Sequence, residues 1–356
     1  MEKAYLVLGS GEVYAGERIG APGGSVGELV FTTGMEGYLE TLTDPSYAGQ
    51  IIMQTFPLIG NYGVIPADFE GAPVAKGYVV RELCDAPSNF RSEGTLDAFL
   101  KAHGIPGICG VDTREITRRI REHGVVNAKI CARPPETLDE INAFAVTGVV
   151  EAVSCREAYA VPADGAQRHA VALIDYGAKK NIIRCLTKRG CAVTVYPCTT
   201  PAEEILAASP DGIMLSNGPG DPAENRFCIE QIRKLLGRKP VFGICLGHQL
   251  TALAMGGQTV KLKYGHRGGN QPVRQTDGSR TYITSQNHGY AVVSGSLQGV
   301  GRESFVNAHD GSCEGMEYPG MDCFTVQFHP EACAGPKDTE FLFDRFIAMM
   351  GGQRDA

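Results

Sequence analysis

The sequence predicts two α/β domains, the second built on a doubly wound and mostly parallel central sheet. With 356 residues, the chain is long enough for two domains that each bury a core. From residue 168 onward, short apolar runs alternate with helical segments, which is the pattern of a parallel sheet covered by helices. We therefore predict an N-terminal domain over residues 1–150, a linker over 151–168 and a second domain over 169–350.

In the first half, alternating and β-branched residues separated by glycine and proline turns predict strands over residues 5–8, 28–33 and 50–55. Helices are predicted over residues 95–103 and 113–123, the latter beginning after Asp112 and ending at Gly124. This second helix carries Arg114, Arg118, Arg119 and Arg121. We interpret the arginines as a solvent-exposed face, with docking of a partner protein as the alternative.

In the second half, the predicted strands cover residues 169–175, 192–196, 212–216, 240–244 and 323–328. Helices are predicted over residues 179–189, 203–208 and 225–236, and from residue 246 onward. In such folds the active site lies beyond the carboxyl ends of the strands. The third and fourth strands are followed there by Asn-Gly-Pro-Gly-Asp at 217–221 and Cys-Leu-Gly-His-Gln at 245–249.

Composition excludes several functional classes. The net charge of −7 argues against a dominant interaction with nucleic acid. We find no signal peptide and no apolar run as long as a membrane helix, so we expect a cytoplasmic protein. The 12 cysteines are scattered without a CxxC pair, which predicts no zinc site and mostly buried thiols in a reducing compartment.

Cys245 lies in the sequence Gly243-Ile-Cys-Leu-Gly247, between a predicted buried strand and a helix. This is a nucleophile-elbow pattern, in which small flanking residues permit the tight turn that exposes the nucleophile. The N-terminus of the following helix favours a thiolate, and the Leu246 backbone N–H is placed to donate to an oxyanion. The alternative is a structural cysteine before a glycine turn.

A thiolate that performs acyl transfer needs a base that later protonates the leaving amine. His329 follows the last predicted strand, and Glu331, two residues later, is suited to orient the imidazole. His248 is the rival base, although we expect it to pack structurally. The loop at 217–221, with two glycines around a proline, is a candidate oxyanion or substrate loop.

Three motifs of the second half resemble the signatures of class I, triad-type glutamine amidotransferases: Gly-Ile-Cys-Leu-Gly-His-Gln, Ser-Asn-Gly-Pro-Gly-Asp-Pro and Gln-Phe-His-Pro-Glu. The resemblance implies that Cys245 is the nucleophile, His329 the acid and base, and Glu331 its orienting group. The reaction it implies passes through a γ-glutamyl thioester and releases ammonia and then glutamate.

The first half resembles the small-chain family of carbamoyl-phosphate synthetases, through Thr-Gly-Met-Glu-Gly-Tyr at 33–38, Leu-Thr-Asp-Pro-Ser-Tyr-Ala-Gly-Gln at 42–50 and Gly-Val-Asp-Thr-Arg at 110–114. The resemblance implies that glutamine is contacted by Ser46, Gly218, Gly220, Leu246, Gln249, Asn287, Gly289 and Tyr290. Two departures are mild: Tyr290 stands where the family often has Phe, and Asn270-Gln-Pro where it often has Asn-His-Pro.

The same resemblance implies a heterodimer or higher assembly with a large synthetase subunit, which makes carbamoyl phosphate for arginine and pyrimidine synthesis. No Walker-type loop is present in this sequence, so we expect no cofactor in this chain and place ATP and Mg²⁺ on the large subunit. Two alternatives stay open. The chain could serve the synthesis of GMP, anthranilate or CTP, or it could be a binding subunit with an inactive triad.

Overall fold

The computed structural model describes residues 2–351, which form two units divided between Thr147 and Gly148. Residues 151–168, predicted as a linker, belong to the second unit. They contain the end of helix Val149–Val153 and the strand Tyr159–Val161, which pairs with another strand of that unit. The linker prediction was wrong because a three-residue edge strand with largely exposed side chains leaves no periodic pattern in the sequence.

The first unit combines a closed β-barrel with short helices, which confirms its α/β class. Its strands are β1 (Lys3–Leu8), β2 (Val13–Gly20), β3 (Ser25–Thr32), β4 (Gln50–Gln54), β5 (Leu58–Ile59), β6 (Gly77–Val79), β7 (Glu82–Leu83), β8 (Pro106–Cys109) and β9 (Val126–Cys131). The barrel order is β1-β2-β8-β6-β4-β3-β9, and β9 closes it by pairing with both β3 and β1. The helices are α1 (Tyr38–Thr43), α2 (Leu96–Ala102), α3 (Thr113–His123) and α4 (Asp139–Asn142).

Helix α3 has the bounds that the sequence predicts. The Asp112 side chain caps it by accepting a hydrogen bond of 3.0 Å from the Glu115 backbone N–H. Ile116 and Ile120, four residues apart, are buried on one face, while the arginines lie on the others. The helix ends at Gly124, whose φ of 98° is a conformation that glycine adopts without strain.

The second unit is a mixed sheet with helices packed against it. Its strands are β10 (Tyr159–Val161), β11 (His169–Asp175), β12 (Cys191–Pro197), β13 (Gly212–Leu215), β14 (Val241–Ile244), β15 (Gln258–Gln275), β16 (Thr281–Val293), β17 (Arg302–Asn307), β18 (Cys313–Tyr318) and β19 (Cys323–Val326). Its helices are α5 (Val149–Val153), α6 (Lys180–Thr187), α7 (Ala202–Ala207), α8 (Arg226–Leu235), α9 (Leu246–Ala254) and α10 (Phe341–Met350).

The centre of this sheet is parallel, in the order β12-β11-β13-β14-β19, as predicted for a doubly wound domain. Antiparallel strands extend it on both sides, with β10 at one edge and β18, β16, β15 and β17 at the other. Phe242 and Phe324 stack at 4.4 Å between ring centroids in a core that helix α10 covers with Phe343 and Phe346. No helix within residues 2–351 combines the length and apolar composition needed to span a bilayer.

Candidate active site

Cys245 occupies the turn between β14 and α9, at the carboxyl end of a central strand. Its φ of 51° and ψ of −102° lie in a region that L-residues rarely adopt, which is the strained backbone expected of a nucleophile elbow. The turn is held because the Cys245 N–H donates to the Val326 carbonyl at 2.8 Å and the Gly247 N–H donates to the Ser216 carbonyl at 3.0 Å. The structure therefore places this cysteine in the predicted elbow.

Glycine is required on both sides of this turn. A Cβ at Gly247 would lie 2.7 Å from Leu215 Cβ, and one at Gly243 would lie 3.0 Å from the Gly247 carbonyl carbon. Gly218, in the neighbouring loop, is equally confined, because a Cβ there would lie 2.7 Å from Leu246 Cδ2. The predicted oxyanion loop thus packs directly against the residue that follows the cysteine.

His329 and Glu331 form a buried pair beyond the end of β19. The Nδ1 atom of His329 lies 2.7 Å from Glu331 Oε1. Burial, the largest single effect, opposes the imidazolium, but the charge of Glu331 and the hydrogen bonds to Cys245 and Glu331 together outweigh it and raise the pKa of His329 to about 10. His329 Nε2 is buried and has no hydrogen-bond partner among residues 2–351, so it is the ring atom available for proton exchange with the thiol.

Cys245 Sγ itself donates a weak hydrogen bond to the Asn287 carbonyl oxygen at 3.8 Å. The thiol is therefore directed toward a residue predicted to contact glutamine. Catalytic hydrogen bonds are often loose before substrate binds, so this geometry is compatible with transfer of the thiol proton to His329 once the site is filled.

Lys179 is a member of this site that sequence reasoning missed. Its Nζ lies 3.1 Å from Glu331 Oε1 and donates to the Ala332 carbonyl at 2.6 Å, and its side chain is almost fully buried. Burial would raise the pKa of Glu331, but the charges of Lys179 and His329 lower it to about 2. The sequence did offer one indication of this role. Lys179 follows β11, so it is expected at the same carboxyl edge of the sheet as the motifs at 217–221 and 245–249.

Replacing Lys179 with methionine is expected to lower the free energy of unfolding by about 3 kcal/mol, because it removes one partner of a buried ion pair. We expect a loss at the lower end of the range for broken buried ion pairs, because His329 still provides a partner for the Glu331 carboxylate. The comparison is the midpoint of urea unfolding for Lys179→Met and for Lys180→Met, its exposed neighbour. Equal midpoints for the two variants would contradict a structural role for this ion pair.

The predicted glutamine contacts of the second unit cluster around the cysteine. Gln249 Nε2 donates to the Tyr290 carbonyl at 2.8 Å and to Gln327 Oε1 at 2.9 Å, so Oε1 is the Gln249 atom suited to accept from a substrate ammonium. Asn287, Gly289 and Tyr290 follow one another on β16, which brings the backbone of this strand to the thiol. Gly220 has a φ of 85°, which permits the turn of the loop.

Ser46 lies in the first unit, in the 3-10 helix Pro45–Tyr47, where its N–H donates to Asp44 Oδ1 at 2.9 Å. Its contact with glutamine stays a prediction. His248, the rival base, is fully buried on α9, and its Nδ1 lies 2.8 Å from Thr325 Oγ1. Burial lowers the pKa of His248 to about 3, so this ring is neutral.

A second buried polar cluster adjoins the β16 contacts. It contains His266, His288 and Glu314, whose ligand atoms lie within 4.8 Å of one another. Within residues 2–351, these three side chains form a group of the kind that can bind a metal ion. His266 contacts both other members, since its Nδ1 lies 3.3 Å from His288 Nε2 and 3.5 Å from Glu314 Oε1. Its Nε2 lies 2.8 Å from Asp310 Oδ2, outside the group. Burial opposes a charged ring, yet Glu314 and Asp310 together raise the pKa of His266.

Known proteins resemble this chain over its whole length. The carbamoyl phosphate synthase small chain of Listeria monocytogenes serotype 4b is 49% identical, with 100% of this chain and 99% of the relative covered. That of Syntrophotalea carbinolica is 47% identical, with 99% of each covered, and that of Symbiobacterium thermophilum is 47% identical, with 96% of each covered. The chain belongs to the carbamoyl phosphate synthase small-chain family.

Two family models divide the chain much as its fold does. Residues 6–130 match the carbamoyl-phosphate synthase small chain, CPSase domain, and residues 172–349 match glutamine amidotransferase class-I. The resemblance stated from the sequence motifs is confirmed. In this small-chain family member, the elbow, the His329–Glu331 pair and Lys179 all lie within the amidotransferase region.

Proposed function

We propose that this chain is the glutamine-hydrolysing subunit of a carbamoyl-phosphate synthetase, with Cys245, His329 and Glu331 as its catalytic residues. The observation that carries the proposal is a cysteine at a strained elbow beside a buried imidazole whose Nε2 has no other partner in the described part of the chain. Family membership agrees with this assignment.

In the proposed reaction, the proton of Cys245 passes to His329 Nε2 before the attack, in agreement with the raised pKa of that imidazole, and Sγ then attacks the side-chain carboxamide carbon of glutamine. Backbone N–H groups at Leu246 and the 217–221 loop stabilise the oxyanion. His329 then protonates the leaving nitrogen, the C–N bond breaks, and ammonia departs from a γ-glutamyl thioester. Water, activated by His329, attacks the thioester and releases glutamate with the free thiol.

The role of Glu331 in this scheme is electrostatic. Its 2.7 Å hydrogen bond to Nδ1 fixes the ring so that Nε2 faces the sulfur. Lys179 keeps Glu331 ionised, because the lysine charge helps to lower the pKa of that carboxyl to about 2. The substrate contacts would come from Ser46, Gly218, Gly220, Leu246, Gln249, Asn287, Gly289 and Tyr290.

The ammonia is proposed to pass to a large subunit, which combines it with bicarbonate and ATP, using Mg²⁺, to make carbamoyl phosphate for arginine and pyrimidine synthesis in the cytoplasm. The test is ammonia release from glutamine by the purified chain, with and without its cognate large subunit. We expect release by the chain alone and faster release with the large subunit, ATP and bicarbonate. No release under either condition would overturn the proposal.

A further inference from the structure

The histidine cluster, formed by His266, His288 and Glu314, takes no part in the mechanism above. His266 lies on β15, directly opposite His288 on β16, and Glu314 lies on β18, which also pairs with β16. All three side chains are buried. Because they come from three different strands, no short spacing along the sequence marks them, and only the pairing of the sheet brings them together.

Hydrogen bonds outside the histidine cluster leave one nitrogen of each ring directed into it. His266 Nε2 lies 2.8 Å from the Asp310 carboxylate, which accepts, so this nitrogen carries a hydrogen. His288 Nδ1 lies 2.7 Å from the Tyr290 carbonyl oxygen, which can only accept, so here Nδ1 carries the hydrogen. Metal-binding histidines are oriented in the same way, with the second N–H donated to a carboxylate or a backbone carbonyl.

The two remaining nitrogens need a cation between them. Burial and, to a smaller extent, the neighbouring His266 lower the pKa of His288 well below its usual range, so its Nε2 presents a lone pair. His266 Nδ1 lies only 3.3 Å from this atom, and two lone pairs at such a distance repel each other. Either a proton on His266 Nδ1 or a metal ion relieves this repulsion.

The carboxylate of the histidine cluster favours the metal ion over the proton. Glu314 Oε1 accepts a hydrogen bond of 3.0 Å from Asn307 Nδ2, but Oε2 is buried without a hydrogen-bond partner among residues 2–351. A proton on His266 leaves this oxygen unpaired, which is costly in a buried position. A metal ion can bind both nitrogens and the carboxylate at once, so it satisfies all three side chains.

The distances within the histidine cluster fit a zinc ion. Ligand atoms around a tetrahedral zinc ion lie about 3.4 Å apart when the bonds are about 2.1 Å long. His266 Nδ1 lies 3.3 Å from His288 Nε2 and 3.5 Å from Glu314 Oε1, and the third separation is at most 4.8 Å, which rotation of a side chain can shorten. Gln286 Oε1, 3.1 Å from His288 Nε2, offers an oxygen for a fourth position.

We propose that His266 Nδ1, His288 Nε2 and the Glu314 carboxylate bind a zinc ion. Two imidazoles and one carboxylate are a typical set of zinc ligands. The route to the site passes Asp310, whose side chain is 47% exposed, so an ion can reach the buried ligands from solvent.

The zinc ion would hold the strand that carries the proposed glutamine contacts, a consequence that rests on the proposed function. His288 lies between Asn287 and Gly289 on β16. Its Nδ1 shares the Tyr290 carbonyl oxygen with Gln249 Nε2, another proposed contact. Because no ligand of the ion touches the reacting atoms, zinc is expected to position these groups and to take no part in the chemistry.

The first test measures zinc binding to the metal-free full chain by isothermal titration calorimetry. All variants carry Cys245→Ser, because a thiolate beside an imidazole also binds zinc. We expect one zinc ion per chain, and an affinity lowered by about 100-fold or more in His266→Asn and in Glu314→Gln. Asp310→Asn should weaken binding by about tenfold, since it only orients a ligand. His309→Asn, which removes the exposed histidine next to Asp310, is the matched control and should bind as tightly as its parent.

A second measurement needs no change to the histidine cluster, so it decides the matter even where a cluster variant does not fold. Cobalt(II) added to metal-free Cys245→Ser should give the strong visible absorption of a tetrahedral site, without a thiolate charge-transfer band. A spectrum of octahedral cobalt would overturn the zinc proposal. Failure of Cys245→Ser to bind zinc, or equal affinities in His266→Asn and His309→Asn, would also overturn it and leave a proton as the cation.

The positioning role is tested with wild type, metal-free and loaded with one equivalent of zinc. Removal of zinc should raise the KM for glutamine by about tenfold and leave kcat within about threefold, because the reacting groups stay in place. A lower kcat at unchanged KM would overturn the positioning role. Absence of zinc binding in a chain that still releases ammonia would overturn only the zinc proposal, whereas zinc binding without any ammonia release would overturn only the proposed function.

Discussion

Replacing Cys245 with serine is expected to reduce ammonia release from glutamine by about 10⁴-fold or more, because the nucleophile of the acyl-transfer step is lost. The substitution changes one atom of a side chain that is 2% exposed, so the elbow and its backbone hydrogen bonds should survive. The measurement is the steady-state rate of ammonia release for wild type, Cys245→Ser and Cys84→Ser. Cys84 is a partly exposed cysteine of the first unit and serves as the matched control.

A second readout separates lost chemistry from lost folding. If the chain serves to supply ammonia, the complex of Cys245→Ser with the large subunit should still make carbamoyl phosphate when ammonium chloride replaces glutamine. Incubation of wild type with labelled glutamine followed by acid quenching should trap a thioester, and the serine variant should trap none. Persistent glutamine hydrolysis in Cys245→Ser would contradict the mechanism, whatever the behaviour of the complex.

The sequence located the parts of the site that depend on local chain geometry. Cys245 is recognisable because the turn that exposes it needs glycines at fixed distances along the chain, and close packing at Gly243 and Gly247 explains that need. His329 and Glu331 are two residues apart, so their pairing also follows from local order. For the same reason, the capped helix α3 was predicted with its observed bounds.

Features that depend on distant pairing were not predictable from one sequence. Lys179 reads as a surface lysine until α6 and the turn after β19 come together, which brings its Nζ to Glu331. Closure of the barrel depends on β9 pairing with both β1 and β3, and nothing in its six residues specifies two partners. Strand β10 was read as linker because it gains its pairing from the neighbouring β12 rather than from its own pattern.

Replacing His329 with asparagine is expected to reduce glutamine hydrolysis by about 10³-fold or more, because no other group can take the thiol proton and return it to the leaving nitrogen. The matched control is His248→Asn, which removes the rival base. His248 is equally buried, but Thr325 contacts its Nδ1, and its pKa is lowered to about 3 by burial. We expect His248→Asn to hydrolyse glutamine within about tenfold of wild type.

The pH dependence of stability gives an independent check on the charge of His329. Its pKa is raised to about 10 in the folded chain, against about 6.5 for an unperturbed histidine, so its imidazolium stabilises the fold fully below pH 6.5. That contribution is lost progressively as the pH rises to about 10. His329→Asn should therefore flatten the alkaline fall in thermal stability, whereas His248→Asn should not. The contradicting outcome has two parts: a folded His329→Asn variant that hydrolyses glutamine at nearly the wild-type rate, and a folded His248→Asn variant that does not. Together these results would identify His248 as the base, because a histidine with only a packing role would not abolish hydrolysis when replaced.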